Sequence, residues 1–129
     1  MLLRSAGHAC RGFRHAFASE RNLRLFVAGY LPVIALAFLV RLGSWEWFVL
    51  LLAGGFFLVV ELLNTALERI VDVVDDDVKK GQQRHSFTVL RAAKDTAAAA
   101  SLVALLAVLA VIGMVFWPLL SASAPGVFS

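Results

Sequence analysis

Cysteine is almost absent from this sequence. Cys10 is alone, so no disulfide can form within the chain, and a reducing environment suits it. Charge is scarce too: Asp, Glu, Lys and Arg make up 16% of the 129 residues. The formal net charge of +3 is too small to mark a nucleic-acid-binding surface, and no nucleic-acid partner is expected. No Walker A phosphate loop is present, and there is no internal repeat. The opening stretch MLLRSAGHACRGFRHAF is interrupted by Arg and His and lacks the continuous apolar run of a secretory signal, so none is expected. What fills the chain instead is hydrophobic: 60% of residues, with mean hydropathy +0.82. An ordinary soluble domain is about half apolar. The excess makes lipid the expected solvent, and the length fits one unit over residues 1–129.

Three segments are apolar enough to cross a bilayer, which takes ~20 residues. They run over about 23–41, 45–74 and 92–120, and the strictly apolar part of the third begins at Ala97. Pro32 lies inside the first, where a tolerated kink is expected. Residues 73–93 read as a long polar loop. Arg4, Arg11, Arg14, Arg21 and Arg24 gather before or at the start of the first span. Lys79, Lys80, Arg84, Arg91 and Lys94 gather between the second and third, and Arg41 stands alone between the first and second. The positive-inside rule then puts the N-terminus and residues 73–93 in the cytoplasm. Trp45, Trp47 and Trp117 fall at the outer interface, as an aromatic belt.

Residues of about 3–20 form a helix of their own. Ala6, Cys10, Phe13 and Phe17 share one face; Arg4, His8, Arg11 and His15 share the other. Such a basic amphipathic helix lies in the membrane interface. It serves as a simple anchor, as a wall of a site, or as both.

The second span ends in VVELLNTALERIVDVVDDD, residues 59–77. At about 100° per residue, positions 61, 64, 68 and 72 fall at roughly 0°, 300°, 340° and 20°. Glu61, Asn64, Glu68 and Asp72 therefore line one face, with Thr65 beside them. If Trp45 marks the outer boundary, Glu61 lies ~24 Å inward, just inside the cytoplasmic edge of a hydrocarbon layer ~30 Å thick. One reading is a helix–helix clamp in which Glu61 pairs with a cation from another span. The acids outnumber the local cations, however, and neighbouring acids repel unless a cation joins them. Oxygen ligands alone suit Mg²⁺ rather than Zn²⁺. On the third span, Lys94 and Asp95 precede the apolar run. Taken alone Lys94 is an ordinary interfacial anchor; beside an acidic stripe it is a phosphate-binding point charge. The run Ala97–Ala100 is expected to let this helix approach a neighbour closely.

GFRHAFASERN, VELLNTALERIVD and AAKDTAAAA together resemble the small bacterial membrane kinases of the diacylglycerol kinase and undecaprenol kinase type, over about residues 6–118. The resemblance implies an all-α membrane protein: an N-terminal amphipathic surface helix plus three transmembrane helices, assembled as a homotrimeric bundle. It implies a kinase that moves the γ-phosphate of ATP, with Mg²⁺, onto a membrane lipid alcohol at the cytoplasmic face of a bacterial inner membrane. By the same resemblance Glu61 is the general base and Asn64 its neighbour. Glu20 and Glu68 hold the metal. Lys94, Asp95, Asp72, His8 and His85 contact the nucleotide, and Gly12 and Arg14 match the surface helix. His85 has a second reading, as a solvated loop residue. Asp75–Asp77 read as a solvated face or as ligands of a second metal. Arg69 departs from the small residue common there, and pairing with an acid of a neighbouring subunit is the expectation. RNLRLF and GSWEW lean towards the undecaprenol kinase branch.

Two rival readings stand beside this one. A non-enzymatic small oligomeric membrane protein accounts for the spans but not for the aligned acids. A cation transporter accounts for the acids but leaves Lys94 and Asp95 without a task.

Overall fold

The computed structural model describes the backbone of residues 2–81 and 84–122, and the side chains over 5–75, 88–119 and 121. The described chain forms helices α1 (Leu2–Ser19), α2 (Arg21–Leu39), α3 (Ser44–Gly81) and α4 (Arg84–Ala122). Three of them, α2, α3 and α4, are long and apolar enough to cross a membrane.

Local chemistry sets each corner. Glu20 adopts an extended conformation (φ −92°, ψ 118°) and separates α1 from α2. Arg24 Nη1 donates to Ala18 O at 2.7 Å. This places a cation on a carbonyl at the C-terminal end of α1, where the helix dipole favours one. At the other end of α2, Arg41 N donates to Phe38 O and Leu42 N to Ala37 O, both at 3.2 Å. That is a Schellman cap, and Leu42 packs near Ala37 as the motif requires. Its left-handed residue is Arg41 (φ 56°), not the usual glycine.

α3 and α4 form the most extensive helix pair, and α1 and α2 touch α3 more locally. One core cluster joins Ala37, Leu50 and Phe116; a second joins Phe57, Ala104 and Val108. Phe26 stacks on Phe57 with centroids 4.0 Å apart and on Tyr30 at 5.1 Å. The Tyr30 hydroxyl donates to Leu50 O. Gly54 makes this possible, since a Cβ there would stand 2.6 Å from Tyr30 Cε1. Close approach of α4 occurs at Ala104, 2% exposed. Of the run Ala97–Ala100, Ala97 is half-buried and Ala98–Ala100 are exposed within this chain.

The region read as a loop over 73–93 is helical wherever it is described. At ~1.5 Å per residue, the 38 residues of α3 and 39 of α4 each extend well beyond a hydrocarbon core ~30 Å thick. The two helices thus continue past the span as polar extensions. The run mixes charged and polar residues with Val73, Val74, Val78, Phe87, Val89 and Leu90, and it contains no proline.

Candidate active site

The acidic stripe on α3 faces inward. Glu61 and Thr65 are both 3% exposed, the buried polar residues of this bundle among the described residues. One turn on, Asn64 Nδ2 donates to Glu68 Oε1 at 3.2 Å, which orients the amide. Asn64 Oδ1 and Thr65 Oγ1 are shielded from solvent and have no hydrogen-bond partner among the described residues. Another turn on, Asp72 Oδ1 accepts from Lys94 Nζ at 2.7 Å, tying α3 to α4. Asp72 is largely open to solvent and Lys94 partly so, so this end of the site is wet while Glu61 is dry.

A pocket of about 630 Å³ runs between α2, α3 and α4. Its polar end carries Asn22, Glu61, Asn64, Glu68 and Ser101. Apart from Tyr30 the rest of its wall is hydrocarbon, ending at Val33 and Ile112. From Ala98 to Ile112 along α4 this is ~21 Å of helix. A long apolar slot that ends on buried and unpartnered polar atoms suits an amphiphile: a chain in the slot and a hydroxyl at Glu61.

Glu20 and Arg69 form a separate corner. Arg69 Nη2 lies 2.6 Å from Ser19 Oγ and 3.8 Å from Glu20 Oε1. Arg69 was expected to reach a neighbouring subunit; within this chain it instead bridges α3 to the α1–α2 junction. Glu20 and Glu68 thus each have a partner, Arg69 and Asn64 respectively. Among the described residues no three His, Cys, Asp or Glu side chains converge. Asp95 is exposed on α4. His8 lies on α1 with its Nδ1 2.9 Å from Arg11 Nη2. The side chains of His85, Asp76 and Asp77 lie outside the described residues.

Sequence reasoning did not single out Ser101. It stands seven residues after Lys94, on the same helical face, and is the one hydroxyl side chain between Ala97 and Leu120. That spacing was the available signal.

The chain matches the sequence model of the prokaryotic diacylglycerol kinase family over residues 7–116. It is 38% identical over 117 residues to a diacylglycerol kinase of Synechocystis sp., covering 91% of this chain and 63% of that protein. It is 39% identical over 100 residues to an undecaprenol kinase of Bacillus subtilis, covering 77% of this chain and 74% of the relative. A diacylglycerol kinase of Pseudomonas aeruginosa is 34% identical over 104 residues, 81% of this chain and 78% of that protein. The chain thus spans under two thirds of the cyanobacterial relative and about three quarters of the other two. The matched region takes in the surface helix, the acidic stripe and Lys94 together, and the chain belongs to the prokaryotic diacylglycerol kinase family.

Proposed function

We propose that this protein is a membrane-embedded lipid kinase that transfers the γ-phosphate of ATP to the hydroxyl of a lipid alcohol. The observation that carries the reading is Glu61: a buried carboxylate at the point where the apolar pocket meets the polar groups that lead to Lys94. A lipid lying in the pocket presents its hydroxyl there. Glu61 takes the hydroxyl proton as the lipid oxygen forms its bond to the γ-phosphorus. The bond from that phosphorus to the β–γ bridging oxygen breaks, and the electron pair leaves with ADP. Phosphoryl transfer asks little more of a protein than in-line positioning and neutralisation of phosphate charge. Lys94, released from Asp72, supplies a cation for the phosphates, and Asn64 orients Glu68.

The donor set fits Mg²⁺, which takes one or two carboxylates together with phosphate oxygens and water rather than a cage of protein ligands. Glu68, which lines the pocket, would hold it, Glu20 joins it on family grounds alone, and when bound it neutralises phosphate charge.

The basic residues before α2 support placing the N-terminus and the site on the cytoplasmic side of a bacterial inner membrane. Over an 18-residue apolar window in each candidate span, the share of residues buried within the chain is 11%, 28% and 17%. So much uncovered apolar surface supports contact with lipid and further copies, and a homotrimer is the proposed assembly on family grounds. The names of the relatives divide between diacylglycerol and undecaprenol as acceptor.

The test is phosphate transfer by purified protein in mixed micelles, with γ-labelled ATP, Mg²⁺ and either diacylglycerol or undecaprenol. Label in the lipid fraction is the expected result. ATP turnover without labelled lipid from either alcohol contradicts the reading.

A further inference from the structure

A hydroxyl in an apolar helix ordinarily donates to the carbonyl four residues back. Thr96 does so, with Oγ1 2.8 Å from Ala92 O. Ser101 does not: its Oγ is shielded from solvent and has no hydrogen-bond partner among the described residues. A buried hydroxyl without a partner is unfavourable. Yet Ser101 lines the same pocket as Glu61 and Asn64, from the opposing helix. The polar end therefore offers two kinds of group. Glu61 and Asn64 Oδ1 accept; Ser101 can donate.

These groups make different demands on the lipid. The reacting hydroxyl has one proton, and Glu61 takes it. Its oxygen needs a lone pair for phosphorus, so a donor bonded to that oxygen would blunt the nucleophile. A donor at Ser101 is better matched by a second oxygen close to the alcohol. A polyprenol has no second oxygen. An acylglycerol has ester carbonyls within a few bonds of its hydroxyl.

We propose that Ser101 is a specificity-determining residue whose hydroxyl donates to an ester carbonyl of the lipid, so that the pocket selects acylglycerols over polyprenols. This rests on the lipid-kinase reading above. The test compares kcat/KM for a 1,2-diacylglycerol, its 1,2-dialkyl ether analogue and undecaprenol, in the wild type, Ser101→Ala and Ser101→Thr. The wild type prefers the ester over the ether by about threefold to tenfold, the worth of one neutral hydrogen bond. In Ser101→Ala that ratio falls towards one, and in Ser101→Thr it is retained. A merely structural role would lower all acceptors together and leave the ratio where it was. Equal ester and ether rates in the wild type, or an unchanged ratio in Ser101→Ala, overturns the proposal while leaving the kinase reading intact. A wild type that labels none of the three lipids removes both.

Discussion

Lys94 Nζ lies 2.7 Å from Asp72 Oδ1, a contact that bridges α3 and α4 at the wet end of the acidic stripe. Exposed pairs of this kind contribute little to stability. The value of the contact is positional: it holds the cation of α4 against the stripe, next to Glu68 and Asp75. Lys94→Ala is therefore expected to leave assembly and thermal unfolding near those of the wild type. The apparent KM for ATP rises about tenfold or more, as loss of a charge-assisted contact to phosphate implies. ATP titrations at saturating lipid check this.

Gly54 and Tyr30 make a second prediction. A Cβ at position 54 would stand 2.6–2.8 Å from the ring atoms and hydroxyl of Tyr30. Gly54→Ala forces the ring off α3 and breaks its bond to Leu50 O. The expected cost is about 1–3 kcal/mol, as for other overpacked contacts. Tyr30→Phe removes only the hydrogen bond and costs about 0.5–1.5 kcal/mol. Unfolding in detergent measures both, and the two are non-additive because they share one contact.

Arg41 offers a change in the opposite direction. Its left-handed backbone is unfavourable for any residue with a Cβ, by roughly 1–2 kcal/mol. Glycine removes that strain but adds about 0.4–1 kcal/mol of freedom to the unfolded chain. Arg41→Gly is expected to be stabilising by about 0.5 kcal/mol, read as a higher unfolding midpoint with unchanged kinase activity.

The parts of this protein legible from its sequence are those with a strong period. Glu61, Asn64, Glu68 and Asp72 recur at helical spacing, so their common face was visible before any coordinates, and the structure keeps Glu61 buried and Asp72 exposed along it. The polar extensions beyond the spans were not legible. Residues 73–93 do carry apolar residues at helical spacing, Val74 with Val78 and Phe87 with Leu90, but the charges and Gly81 between them hid the pattern. Arg69 illustrates a different limit. Its partners, Ser19 and Glu20, lie about 50 residues away in sequence, and only the turn at Glu20 brings them within reach. Ser101 was hidden because one serine in an apolar run reads as a small packing residue; the unpartnered hydroxyl is what distinguishes it.

Glu61 carries the central claim, and its direct test is Glu61→Gln. The amide keeps the shape and cannot take a proton. The expected result is a folded protein with wild-type ATP binding, in which kcat for lipid phosphorylation falls by about 10²–10⁴, the usual contribution of a positioned general base. Full phosphorylation of lipid by the folded Glu61→Gln protein would contradict the account.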